Sequence, residues 1–136
     1  YCNGKIRIIG YCSGGRQAYL AACKLSGIDA AVDCYGGGVV CPQEDLTERQ
    51  PVAPIDFTES LSCPLLGLFG KEDRRPSPED VAITEETLKK YGKTYEFYSY
   101  DNAGHSFFSV DRDAYRVHAA VDGWQKILDF YGRYLH

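Results

Sequence analysis

The run Lys5-Ile6-Arg7-Ile8-Ile9-Gly10-Tyr11-Cys12-Ser13-Gly14-Gly15 decides the fold. Residues 5–11 are rich in β-branched side chains and close on a glycine, the pattern of a buried strand. Residues 14–25 follow as a helix. Ala18, Ala21, Ala22 and Leu25 fall at i, i+3, i+4 and i+7, a narrow small-residue face suited to packing on a sheet, and Gly27 ends it. A strand that passes straight into a helix makes residues 10–14 a G-x-nucleophile-x-G turn. The nucleophile of such a turn sits on strained backbone, and its neighbours must be small for strand and helix to approach closely. Cys12 then projects at the carboxyl end of the sheet and at a helix N-terminus, where the dipole favours a thiolate. The Ser13 N–H becomes one half of an oxyanion hole. Ser13 is not itself the nucleophile, because the glycines bracket Cys12 at i−2 and i+2.

Outward from that turn, strands and helices alternate. Residues 30–35 (AAVDCY) read as a strand stopped by Gly36-Gly37-Gly38, and 64–69 (PLLGLF) as one apolar on both faces. Residues 94–100 (TYEFYSY) alternate like a fourth strand. Residues 77–91 are predicted helical from their caps: Ser77 at N-cap, Pro78 at N1, Glu79 and Asp80 in the first turn, Gly92 beyond the end. A terminal helix spans 113–135 with the stripe Val117, Val121, Trp124, Leu128, Tyr131 and Leu135. Residues 41–62, polar and proline-rich, read as a long surface loop with one turn of helix at most. This alternation predicts an α/β protein with a parallel sheet and right-handed crossovers.

Composition narrows the classes. The 136 residues carry 15 Lys+Arg against 19 Asp+Glu, a net charge of −4, with 44% hydrophobic residues. That is the make-up of one globular segment over 1–136, without the basic patch expected of a nucleic-acid binder. No apolar run reaches the roughly 18–20 residues needed to span a bilayer. The chain contains no Met and starts at Tyr1, so its beginning reads as a cut. Six cysteines, Cys2, Cys12, Cys23, Cys34, Cys41 and Cys63, form no CxxC pair and have no His at zinc-finger spacing. Reduced thiols in a cytoplasmic protein are the expectation over a disulfide framework, with five of the six acting as small buried hydrophobes.

A thiol nucleophile needs a base, and the base needs an orienting group. Of three histidines, His118 lies within the last helix and His136 at the end. His105, in Asn102-Ala103-Gly104-His105-Ser106-Phe107, directly follows a predicted strand, where α/β sheets place their chemistry. Gly70-Lys71-Glu72-Asp73 follows the PLLGLF strand and supplies the acid in the order Cys…Asp…His. Asp73 is preferred to Glu72; the competing reading is a solvated turn paired with Arg74 or Arg75.

The stretches GYCSGG, PLLGLFGKED and AGHSFF resemble the three catalytic stretches of the dienelactone hydrolase family, or carboxymethylenebutenolidases. Cys34-Tyr35-Gly36-Gly37 and Arg112-x-x-Tyr115 resemble the family too. The resemblance implies the C-terminal half of an α/β-hydrolase fold: about four parallel strands flanked by helices. It also implies a Cys12-Asp73-His105 triad that hydrolyses small esters or lactones through an acyl-enzyme, with neither metal nor organic cofactor. Tyr11, Arg74, Arg75 and Phe107 are the candidate substrate-binding residues. Family members are longer, with the nucleophile near mid-chain. The first strands, the second oxyanion N–H and an acidic residue that holds the thiol therefore have no counterpart here. The arginine a few residues after the family's catalytic His is replaced by Ser106-Phe107-Phe108-Ser109, which points away from a carboxylated dienelactone. The open edge at residues 5–11 needs covering, by a missing N-terminal half or a second copy. The alternative function is a non-catalytic fragment acting as an interaction or assembly module. A redox-sensing Cys12 is weaker, with no resolving cysteine nearby in sequence.

Overall fold

The strands form where the β-branched and apolar runs lie: β1 (Arg7–Tyr11), β2 (Ala30–Cys34), β3 (Leu65–Gly70) and β4 (Tyr95–Tyr100). The helices between and after them are α1 (Ser13–Lys24), α2 (Pro78–Lys90) and α3 (Val117–Tyr134). This computed structural model describes residues 3–135; Cys2 and His136 lie outside them. All four strands pair in parallel in the order β1-β2-β3-β4, with Tyr11 opposite Cys34 and Leu68 opposite Tyr98. β2 and β3 are buried along their whole length because both faces are covered. Ala31 and Leu65 pack with Tyr19, Ala22 and Cys23 of α1 and Leu88 of α2; Val32, Cys34, Leu66 and Leu68 meet Ile127 and Phe130 of α3 across the sheet. Each fully buried Leu or Phe contributes about 1.5–3 kcal/mol, so these two layers hold the strand ends in place.

α2 carries the expected caps. The Ser77 hydroxyl accepts from the Asp80 N–H and the Asp80 carboxylate accepts from the Ser77 N–H, each at 3.2 Å.

Three expectations need correction. The inward face of α1 is Gly15, Ala18, Tyr19, Ala22 and Cys23, while Leu25 lies beyond the helix and is exposed. α3 starts at Val117, not residue 113, and four of the six expected stripe residues face outward: Val117, Val121, Trp124 and Leu128 are 64%, 62%, 47% and 63% exposed, whereas Tyr131 is buried as expected. The buried face is Ala120, Gly123, Ile127, Phe130 and Tyr131, whose small members let the helix approach the sheet closely. Residues 41–52 lie at the surface, as expected, but residues 53–61 dock on the core. The whole segment includes two 3₁₀ turns, Gln43–Asp45 and Pro54–Ser60, and Ala53, Pro54, Thr58 and Leu61 are buried. The Tyr19 hydroxyl donates to Thr58 Oγ1 at 2.6 Å and Thr58 in turn donates to the Ile55 carbonyl at 2.7 Å, tying this segment to α1.

One buried charge stands out within β2. Asp33 accepts from the Gly36 N–H at 2.8 Å, and burial nevertheless pushes its carboxyl up to about 7. The folded state therefore holds a proton that the unfolded chain releases near pH 3.9, and the stability Asp33 contributes falls as pH rises from about 4 to 7. Asp33→Asn removes that loss. Its unfolding free energy minus that of the wild type, from urea denaturation at each pH, is expected to become more favourable across this window by on the order of a few kcal/mol. A difference that is flat with pH contradicts the assignment.

Candidate active site

Parallel pairing brings the carboxyl ends of all four strands to one edge, and the loops leaving β1, β3 and β4 meet there. Cys12 occupies the turn between β1 and α1 with φ 58° and ψ −123°, a conformation that costs a non-glycine residue about 1–3 kcal/mol. Its N–H donates to the Cys34 carbonyl at 3.0 Å, and its own carbonyl accepts from Gly15 and Arg16. The strained residue is thus bonded on both sides. The Ser13 N–H lies in the first turn of α1, where no earlier helical carbonyl exists to accept it.

Space around the turn is set by particular glycines. A Cβ on Gly10 would run into the Gly14 carbonyl and come within 2.7 Å of the Gly15 nitrogen. One on Gly15 would strike the Asp33 carboxylate and lie 2.9 Å from the Cys34 carbonyl. Gly14, the expected bracketing partner, has nothing within 4 Å. The close approach thus falls at i−2 and i+3 from Cys12.

His105 joins the two other groups. Its Nδ1 lies 2.8 Å from Asp73 Oδ2 and its Nε2 2.8 Å from Cys12 Sγ. Asp73 is buried, and its second oxygen accepts from the Arg75 N–H at 2.9 Å, so both oxygens are engaged. The loops bearing these residues are joined by Glu72 N–H to Ala103 C=O and Lys71 N–H to Tyr100 C=O, which continue the β3–β4 pairing past the strand ends. The Gly70 Cα leaves no room for a side chain against the Ala103 carbonyl.

Two supporting residues escape a reading of the sequence. Tyr35 sets its ring edge-on to His105 at 5.2 Å between centroids. Arg116 donates from Nε to the Asn102 carbonyl at 2.9 Å, and its backbone N–H bonds the Phe107 carbonyl, so it ties down the histidine loop. Tyr35 falls in the family-like run 34–37, but nothing in that run announces its contact with His105; Arg116 lies in no motif, and only the fold brings the two here.

A cavity of about 400 Å³ opens in front of the thiol, lined by Cys12, Ser13, Gly37, Gln50, Asp73, Arg74, Arg75 and His105. A second recess of about 350 Å³ is lined by Tyr11, Tyr35, Phe108, Ser109 and Trp124. Phe107 faces neither. It is 0% exposed and packs against Tyr35 and Tyr100, so Phe108 takes the wall position expected of it. Glu72 is exposed and is not the residue that meets His105. Among the described residues, no cluster of three or more His, Cys, Asp or Glu could hold a metal ion, and no helix is long and apolar enough to cross a membrane. The five described cysteines are free thiols.

The glycine geometry gives a paired prediction. Gly15→Ala is expected to lose roughly 1–3 kcal/mol or more by overpacking, whereas Gly14→Ala is expected to be neutral or gain up to about 1 kcal/mol in helix propensity. Thermal melts of the two variants check this; equal losses contradict it.

Comparisons with known proteins establish the family and the fold. The model of the "Dienelactone hydrolase family" matches residues 1–135. A "putative carboxymethylenebutenolidase" of Methylorubrum extorquens is 33% identical over 132 residues, which are 97% of this chain and 44% of that protein. A "probable 2-oxo-3-(5-oxofuran-2-ylidene)propanoate lactonase" of Bradyrhizobium is 32% identical over 124 residues, 91% of this chain and 48% of that protein. A solved structure described as a "putative dienelactone hydrolase" of Klebsiella pneumoniae superposes with a TM-score of 0.84 at 33% identity, covering 94% of this chain and 52% of its own. The chain spans about half the length of the relatives it matches. With the family model matching nearly every residue and the four-stranded parallel sheet flanked by helices as its fold, the chain belongs to the dienelactone hydrolase family.

Proposed function

We propose that this chain carries the nucleophile, base and acid of a hydrolase acting on small carboxylic esters or lactones. The observation that carries the reading is the continuous contact from Asp73 through His105 to Cys12, two steps of 2.8 Å between groups supplied by three different strand ends. Asp73, with one oxygen on the Arg75 N–H, holds the imidazole with Nδ1 protonated and leaves Nε2 to take the thiol proton. The thiolate attacks the carbonyl carbon, and the oxygen's developing charge meets the Ser13 N–H at the head of α1. Collapse expels the alcohol, which takes the proton back from His105; in a lactone it stays tethered and the ring opens. Water, deprotonated by the same Nε2, then attacks the thioester, and the acid leaves as Cys12 is restored.

Substrate would lie in the 400 Å³ cavity, with Tyr11 and Phe108 offering an apolar wall on the other side of the turn. The free Cys12 thiol suits a reducing compartment such as the cytoplasm. A second reading, an assembly module, is favoured by one observation: Val117, Val121 and Leu128 form an exposed apolar stripe on α3 beside Trp124, whose ring meets Phe108 edge-on. A missing half or a second copy would cover it.

Hydrolysis of p-nitrophenyl acetate tests the first reading. One equivalent of iodoacetamide, mapped to Cys12, is expected to abolish turnover. Cys12→Ala is expected to lose it entirely, and Asp73→Asn to lose roughly 10²–10⁴-fold. Full turnover in Cys12→Ala would sink the proposal.

A further inference from the structure

One residue of the cavity in front of the thiol lies far along the chain from any strand end. Gln50 belongs to the segment between β2 and β3, and it lines the cavity together with Cys12 and His105. Thr47, Glu48, Arg49 and Pro51 around it are exposed, whereas Gln50 is half-buried. Of this surface turn it is the residue directed at the chemistry.

Its backbone is held from both sides. The Gln50 N–H donates to the Thr47 carbonyl and to Thr47 Oγ1, and the Gln50 carbonyl accepts from the Thr47 N–H, each at 3.1 Å. Pro51, which follows, disfavours the helical region for Gln50. Two residues on, the Val52 carbonyl accepts from Arg16 Nη2 at 2.6 Å. Arg16 stands on α1, is 2% exposed, and bonds the Cys12 carbonyl through its own N–H at 3.3 Å. A single buried residue thus ties the nucleophile turn to the turn that carries Gln50. Since the Arg16 Nε is buried with no acceptor, packing and the Val52 bond hold this side chain. The side-chain amide of Gln50, in contrast, has no hydrogen-bond partner among the described residues.

The other polar groups of the cavity leave that amide a distinct part. Both Asp73 oxygens are engaged, and His105 joins Asp73 to the thiol. Arg74 and Arg75 have only N–H groups to offer. Among the described lining side chains, Ser13 and Gln50 remain to accept a hydrogen bond from a neutral group, and only Gln50 carries a carbonyl oxygen and an NH₂ side by side. A hydroxyl, which donates and accepts at one atom, matches such an amide.

We propose that Gln50, positioned through Arg16, is a specificity-determining residue whose amide binds a hydroxyl group of the substrate, so that the chain prefers hydroxylated esters or lactones to their unsubstituted counterparts. The consequence for turnover rests on the hydrolase reading; the binding does not. A site that hydrogen-bonds a substrate hydroxyl discriminates against the analogue lacking it, because its own polar group is then left unpaired. Half-buried Gln50 can recover part of that loss from water, so the discrimination is about tenfold.

Two measurements with γ-butyrolactone and α-hydroxy-γ-butyrolactone test it. In the first, kcat/KM for ring opening is taken for each lactone and divided by its rate with hydroxide, which removes intrinsic reactivity. The corrected preference for the hydroxylated lactone is expected to be about tenfold and to vanish in Gln50→Leu, through KM with kcat little changed. Gln50 lies in a surface turn, so the variant places little strain on the fold. In the second, Cys12→Ala, which cannot form the thioester, is titrated with each lactone by NMR. The hydroxylated lactone is expected to bind about tenfold more tightly, and Gln50→Leu in that background to make the two equal. If wild type opens neither lactone, the hydrolase reading falls while the titration still decides the role of Gln50. Equal affinities in Cys12→Ala, no binding of either lactone, or a preference that survives Gln50→Leu overturns the inference.

Discussion

Everything at this site depends on the closeness of β1, α1 and the end of β2 around Cys12. That closeness exists because Gly10 and Gly15 have no Cβ to collide with the backbone and with Asp33. The turn forces Cys12 to a positive φ, and the conformation survives because hydrogen bonds to Cys34, Gly15 and Arg16 hold it on both sides. Widening the gap by one methyl group would relax the turn and swing the thiol away from His105. The strain is therefore part of how the sulfur is aimed. The layers of apolar side chains above and below β2 and β3 offset it.

From that turn the parallel sheet does the rest. Adjacent parallel strands end at the same edge, so Cys12 after β1, Asp73 after β3 and His105 after β4 are brought together without any long-range coding in the motifs themselves. The backbone bonds from Glu72 to Ala103 and from Lys71 to Tyr100 carry the sheet's register into the loops, fixing Asp73 and His105 relative to each other. Arg116 and Tyr35 then restrict the histidine loop from two other directions.

Much of this is legible in the sequence, for reasons that differ by element. The four strands and the caps of α2 were readable because apolar runs and the Ser77–Asp80 box are local signals. The residues that meet at the site were readable because strand–turn–helix context and chain order restrict where they can lie. The faces of α1 and α3 were not. α3 has two apolar stripes, and periodicity alone chooses the bulkier one, whereas close packing on a sheet favours Ala120 and Gly123. In the same way residues 41–62 look polar, yet a few residues such as Thr58 and Leu61 suffice to dock them. Phe107 and Phe108 are neighbours of equal chemistry, and only the loop's conformation buries one and turns the other to the second recess.

A motif match brings residues near one another, but catalysis requires that they act as a unit. Cys12, His105 and Asp73 are in contact in series, so the effect of losing the Asp73 charge on Cys12 should pass through His105. A double-mutant cycle on the rate of Cys12 acylation by an activated ester, using Asp73→Asn, His105→Gln and the double variant, measures this directly. The double variant should be about as slow as His105→Gln alone. Losses that multiply, as for independent residues, would contradict the account.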